Sequence, residues 1–232
     1  MSLSVRRFQD EQSWIEAILG DFKACLADAL VKSQKRFDAT LAGGTTPGAV
    51  YRALAEDLDC ARLSGDLDIH LWVGDEREVP AYSPGRNGGL IAELLDTGSR
   101  WTRRPTLHYW PEGERRAACR GYEKELIGHL GLKPVFDLSV LGMGTDGHTA
   151  GLFTAADVFE AEGALAIATL APSEPVLRMS LSARVLKSSR RTMVLLKGRE
   201  KESILRSLET AAAWYPVLEA LSADSRLYYL GD

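Results

Sequence analysis

An imidazole and a carboxylate two positions apart, set among glycines, make the most chemically suggestive stretch of this chain: Gly142-Met143-Gly144-Thr145-Asp146-Gly147-His148-Thr149. It follows an almost continuous apolar run, Phe136 to Leu141, which stops at the glycines as a central parallel strand would. A loop there presents Asp146 and His148 at the mouth of a sheet. A histidine so placed, with carboxylates nearby, suits the work of a general base. The stretch also has the form G-x-G-x-x-G, but the dinucleotide fingerprint needs an acidic residue closing the next strand, about twenty residues on. Glu160 and Glu162 precede the next apolar run, and the helical stretch between is short and interrupted by Thr154-Ala155-Ala156-Asp157. The nicotinamide reading is rejected.

Two further segments carry groups that suit an anion. Gly43-Gly44-Thr45-Thr46-Pro47-Gly48 lies between a strand candidate and a helix, where glycines let backbone approach a ligand and free N–H groups favour negative charge. It lacks the Gly-Lys-Ser/Thr ending of a nucleotide loop. Taken singly, it reads equally as a tight turn with a threonine cap. Gly74-Asp75-Glu76-Arg77 puts two carboxylates and a guanidinium directly after a strand. Arg77 has the planar fork for a phosphate, and Asp75 or Glu76 would orient a histidine or a sugar hydroxyl. Arg86 and Asn87 fall in YSPGRNGG, read as a loop of the kind that covers a site. Arg178 and Lys201 would add positive charge. Lys201 is an unfavourable choice for the first turn of a helix unless an anion is near.

What must position these groups is an alternating chain. Ile15, Ile18, Leu19, Phe22, Leu26 and Leu30 recur at helical spacing, so 12–32 reads as a helix. Further helices are expected at 47–58, 114–130 and 198–208. Strands are expected at 38–42, 69–73, 107–110, 136–141, 164–170, 176–181, 193–196 and 227–230. Strands alternating with helices indicate βαβ units, hence one α/β domain over 1–232 with a largely parallel sheet and helices on both faces. Ligands of such sheets bind beyond the strands' carboxyl ends. Segments 43–48, 74–78 and 142–149 all sit at such ends.

Bulk composition narrows the partners. The formal charge of −4 argues against nucleic acid or an anionic membrane, since both select basic faces. Cys25, Cys60 and Cys119 are odd in number and form no C-x-x-C pair, which fits a reducing compartment. The opening MSLSVRRFQD has no apolar signal-peptide stretch, and no apolar run reaches transmembrane length. A cytoplasmic protein is expected, as a monomer or small homo-oligomer.

Together these segments resemble the 6-phosphogluconolactonase family, within the glucosamine/galactosamine-6-phosphate isomerase superfamily. LAGGTTPGAVY, WVGDEREVP, FDLSVLGMGTDGHTAGLF, RMSLS and LLKGREK are similar to the family's motifs, in the same order, from about residue 40 to 202, and the closing YYLGD is compatible. The resemblance implies a modified Rossmann-like α/β fold of the sugar-phosphate isomerase/deaminase type. It also implies hydrolysis of 6-phospho-D-glucono-1,5-lactone without metal or organic cofactor. By the same resemblance His148 takes the base position, helped by Asp146 or Asp75. Gly43, Gly44, Thr45 and Thr46 form the phosphate loop, Arg77, Arg178 and Lys201 match cationic positions, and Asn87 lies at the lid. Two departures stand out: Gly151 replaces the family's usual serine, and RNGG stands where the family has Ser-Asn followed by a bulkier pair. The alternatives are an amino-sugar-6-phosphate deaminase/isomerase and a non-catalytic sugar-phosphate sensor. The deaminase would want an aromatic residue at Arg77 and an Asn-Glu pair soon after the His148 loop, where Leu152-Phe153-Thr154 stands.

Overall fold

The computed structural model describes residues 3–96, 99–159, 161 and 163–231; Glu160 and Glu162, weighed above, lie outside them. In chain order the elements are β1 (Ser4–Phe8), α1 (Glu11–Val31), β2 (Arg36–Leu41), α2 (Gly48–Glu56), α3 (Leu58–Ser64), β3 (Asp68–Val73), β4 (Asp75–Arg77), α4 (Asn87–Asp96) and β5 (Thr106–His108). They continue with α5 (Arg115–Leu130), β6 (Leu138–Gly142), α6 (Ala155–Phe159), β7 (Ala166–Leu170), β8 (Leu177–Leu181), α7 (Ala183–Lys187), β9 (Thr192–Lys197), α8 (Glu202–Glu209) and β10 (Ser225–Leu230).

Helix α1 starts because Asp10, extended at the N-cap, accepts from the Ser13 N–H at 2.8 Å. Its buried stripe of Trp14, Ile18, Phe22, Cys25, Leu26 and Ala29 follows the helical period. The 47–58 helix expected from sequence breaks at Asp57, which takes an extended conformation and caps α3 through Cys60 N–H at 2.8 Å. Helix α4 was not foreseen, because the glycine pair after Asn87 is poor helix material. Strand β1, polar and at an edge, was also missed.

Seven strands form one parallel sheet in the order β1-β10-β9-β6-β2-β3-β5. From β2 the chain proceeds to β3 and β5 on one side, while β6, β9 and β10 lie on the other. The order therefore reverses between β2 and β6, and a crevice opens beyond their carboxyl ends. Strand β3 alternates its side chains. Leu71 shares a cleft with Leu95 of α4, whereas Trp72 meets Tyr122 of α5 edge-on, with ring centroids 5.8 Å apart. Helices thus cover both faces, as the pattern predicts.

Strands β7 and β8 correct the sequence reading. They do not extend the parallel sheet but pair antiparallel with each other and with β4 in a separate three-stranded sheet. Their connection is too short for a parallel crossover. A single core joins both sheets to α1 through α5.

Leu138, in β6 between β2 and β9, is wholly buried. Leu138→Ala should lower unfolding free energy by roughly 2–5 kcal/mol, read from the urea midpoint at unchanged slope; a shift under about 1 kcal/mol would mean that the β6 packing is looser than described.

Candidate active site

Three strand ends meet at the crevice. Backbone bonds carry the ladder into it: Ala42 N–H donates to Val140 carbonyl at 2.9 Å and Gly74 N–H to Leu41 carbonyl at 2.9 Å. A cavity of about 250 Å³ opens there, walled by Gly43 to Pro47, by Asp75, Arg77 and Asn87, by Gly142 to Gly144 with His148, and by Lys201. The structure thereby brings the candidate side chains together, except Asp146, Arg178, Glu76 and Arg86, which do not line the cavity.

At the centre, His148 Nδ1 lies 2.5 Å from Asp146 Oδ1, and the His148 backbone N–H also donates to that oxygen at 3.2 Å. Burial works to raise the Asp146 pKa, but the His148 N–H and the facing imidazole outweigh it and hold the carboxyl below its ordinary range. An ionised carboxylate only accepts, so Nδ1 carries the proton and Nε2 keeps its lone pair. Of the carboxylates left open by the sequence, Asp146 is the one that bonds the imidazole. Phe153 backs the ring, with centroids 4.8 Å apart. Gly144 is needed for this closeness, since a Cβ there would stand 2.3 Å from the imidazole and 2.6 Å from Asp146 Oδ1.

The phosphate-loop candidates run into α2, which has Pro47 at its N-cap and no side chain capping its first N–H groups. Gly48 N–H donates to the Thr45 carbonyl at 3.2 Å, so the N–H groups of Ala49 and Val50, with exposed Thr45, are the ones left for an anion. Lys201 sits in a 3₁₀ turn, Arg199–Lys201, and donates to the Met143 carbonyl at 2.5 Å. Burial pulls its pKa down, against the pull of Glu200 and Asp146. Arg77 gives one N–H to Gly85 carbonyl at 2.5 Å, while its Nε is buried without a hydrogen-bond partner among the described residues. Opposite it in the β4–β8 register lies Arg178, which does not line the cavity. Burial first, and Arg77 second, lower the Arg178 pKa. Two guanidiniums facing across adjacent strands are a repulsion that a bound anion would relieve.

Gly74 to Arg77, directly after β3, runs partly as strand β4. Period two turns Asp75 and Arg77 to the cavity and Glu76 the other way. Glu76 is wholly buried, accepts from the N–H groups of Arg77, Asn87 and Gly88 at 2.7–2.9 Å, and lies 3.5 Å from Arg86 Nε. It orients neither His148 nor a sugar; it anchors the start of α4. In YSPGRNGG the part before Asn87 is loop, and Asn87 itself lines the cavity. Asn87 opens a helix and bonds the Asp75 carbonyl at 2.8 Å, and Arg86 is buried with an N–H on Trp110 carbonyl. Gly151, a departure in the motif, faces Ser180: a Cβ there would lie 2.8 Å from the Ser180 Cβ. Tyr215, missed from sequence, packs on Gly147 next to Val217, whose N–H donates to Gly147 carbonyl at 3.1 Å. No motif in the sequence marks that distant support.

A family model described as glucosamine-6-phosphate isomerases/6-phosphogluconolactonase matches residues 9–228. The chain belongs to this family. It is 31% identical over 174 residues to a 6-phosphogluconolactonase of Haemophilus influenzae, covering 75% of this chain and 74% of that one. It is 33% identical over 210 residues to a GDH/6PGL endoplasmic bifunctional protein of Oryctolagus cuniculus, matching 83% of this chain but 25% of that longer one. In three dimensions it is similar to a crystal structure of a 6-phosphogluconolactonase from Thermotoga maritima, with TM-score 0.83, 26% identity, and coverage of 99% of this chain and 100% of the other. The sugar-phosphate isomerase-like α/β fold is thus shared along nearly the whole length.

Desolvation is the largest influence on Asp75, and Glu76 adds to it; Arg77, Arg178 and His148 oppose both, and the carboxyl is pushed up to about 6. Between its ordinary value and that figure the folded chain holds a proton that the unfolded chain has lost, so stability falls as pH rises through that window. Asp75→Asn should therefore raise the urea midpoint at pH 7.5 and change it little at pH 4. A lowered midpoint at pH 7.5 would show the ionised form to be favoured instead.

Proposed function

We propose that this chain hydrolyses 6-phospho-D-glucono-1,5-lactone to 6-phosphogluconate, the ring-opening reaction of the oxidative pentose phosphate route. The observation that carries the reading is the Asp146–His148 pair at one wall of a cavity whose other walls supply a helix N-terminus and cations. The similarity to 6-phosphogluconolactonases of Haemophilus influenzae and Thermotoga maritima supports it.

A δ-lactone has an activated acyl carbon, so water needs only a base. In this mechanism His148 Nε2 takes a proton as the water oxygen bonds to the carbonyl carbon. The oxyanion is met by glycine-loop N–H groups or by a nearby cation. The tetrahedral adduct then collapses, the ring C–O bond breaks, and the imidazolium passes its proton to the departing ring oxygen. The 6-phosphate rests on Thr45, Thr46 and the first N–H groups of α2, with Arg77 as its fork and Arg178 lending charge from behind. This scheme calls on neither a metal nor an organic cofactor. The deaminase alternative is disfavoured by Phe153, an apolar ring packed on His148 just after the loop, where that chemistry wants an acid.

We read residues 1–232 as one catalytic domain that acts in the cytoplasm, as a monomer or small homo-oligomer. Among the described residues no helix is long and apolar enough to cross a membrane, and all three cysteines are free and buried.

Two substitutions separate the roles. His148→Ala should lower turnover about a hundred- to ten-thousand-fold with lactone binding largely kept; wild-type rates, after subtracting spontaneous hydrolysis, would remove the base assignment. Arg77→Ala should weaken 6-phosphogluconate binding and lactonase activity while sparing unphosphorylated gluconolactone. Equal losses on both lactones would make Arg77 a structural residue.

A further inference from the structure

The chain has four histidines, and the proposed reaction uses one. The other three, His70 of β3, His108 of β5 and His129 of α5, meet on the α5 face of the sheet. Each offers one ring nitrogen to a group whose members all lie within 4.8 Å of one another. His70 and His108 are buried and His129 is a quarter open, which leaves a way in from solvent.

The hydrogen bonding of this cluster is unbalanced as it stands. His108 Nδ1 lies 2.5 Å from Glu125 Oε1, and a carboxylate accepts, so Nδ1 holds the proton and Nε2 the lone pair. His70 Nδ1 is 2.9 Å from that Nε2 and must then be the donor. This leaves neutral His70 with a bare Nε2, 3.3 Å from Asp68 Oδ2: a lone pair facing a carboxylate. His129 Nε2 stands 3.7 Å from Asp38 Oδ1, beyond hydrogen-bond reach. Both Nε2 atoms are buried without a hydrogen-bond partner among the described residues.

A cation between the rings removes the conflict. With Nδ1 of His70 and Nε2 of His108 turned onto an ion, the single proton of His70 moves to Nε2 and faces Asp68, while His108 keeps its bond to Glu125. His70 and His108 then each have a carboxylate behind them, Asp68 and Glu125, and Asp38 lies 3.7 Å from Nε2 of His129. Histidine ligands of metal sites have this outer arrangement, which fixes tautomer and ring direction. Trp72 fixes the His108 ring further, stacking on it with centroids 3.6 Å apart and planes 4° apart, and its indole N–H donates to Asp38 at 3.0 Å. We infer that His70, His108 and His129 form a binding site for one divalent zinc-class cation, separate from the catalytic crevice.

Imidazole ligands select zinc and its neighbours over calcium or magnesium. Zinc–nitrogen bonds of about 2.0–2.1 Å place tetrahedral ligands roughly 3.3 Å apart, so the rings need move by no more than about an ångström or two. The site lies within β3 and α5, whereas the crevice lies beyond the carboxyl end of β3. The ion therefore has no place in the lactone chemistry, and its role is to clamp α5 to the sheet.

The test uses the full chain, stripped with a chelator, dialysed and titrated with Co²⁺, then with Zn²⁺. One equivalent of Co²⁺ should bind with the visible absorption of a low-coordinate site, and Zn²⁺ should displace it and raise Tm. The same should hold in His148→Ala, while His129→Ala and the milder His129→Gln should bind at least about tenfold more weakly. X-ray absorption of the zinc-loaded wild type should show three imidazole nitrogens, a readout that needs no variant to fold. Failure of the folded wild type to take up Co²⁺ or Zn²⁺ would overturn the proposal and leave a shared proton between His70 and His108. So would a signal lost in His148→Ala and kept in His129→Gln, or an ion with fewer than three imidazoles.

Discussion

Neighbouring parallel strands must end at the same edge, and this constraint underlies the rest of the molecule. Strands β2, β3 and β6 run side by side in the centre of the sheet, and their ladder bonds continue past the last strand residues to Ala42 and Gly74. The segments that follow are delivered to one place with little freedom left. The order reverses between β2 and β6, so the loops after those strands leave on opposite sides and a crevice stays open between them. A slip of register would turn the core face of a strand to the wrong side, so burial of Leu41, Val73 and Leu138 also fixes where the loops emerge.

Charge is gathered there against solvation. Burial raises Asp75, and it lowers Arg178 and Lys201, so each charged form is less comfortable in the fold than in water. The fold tolerates this because Glu76, facing away from the cavity, satisfies three backbone N–H groups and pairs with Arg86, locking β4 to α4. The small antiparallel sheet supplies Arg178 at the register that faces Arg77. An anion placed there would relieve the mutual repulsion.

Strand β3 links two polar centres of opposite design. Beyond its carboxyl end the groups are cations and backbone donors around a cavity open to a ligand. Within it, His70 and its neighbours are bases backed by carboxylates and closed over by Trp72 and α5. Alternation along one strand keeps the imidazoles on the α5 face, apart from the crevice loops.

The sequence by itself determined the helical and strand periods, the largely parallel α/β architecture and the three strand-end segments. These are local signals: Ile18, Phe22 and Leu26 repeat at helical spacing, and Phe136 to Leu141 runs apolar into glycine. The order of motifs also sufficed to name the family. The sequence was silent where a residue's role depends on a distant partner. Arg178 reads as a site cation, but only the β4–β8 register shows that it faces Arg77 and stays off the cavity wall, and Glu76 reads as a carboxylate to orient a histidine or a sugar hydroxyl until burial turns it to α4. His70, His108 and His129 lie 38 and 21 positions apart in sequence, with no spacing that marks a site. Only the pairing of β3 with β5, and the packing of α5 across them, brings those rings together, because contacts between distant segments are set by the topology of the sheet and not by local pattern.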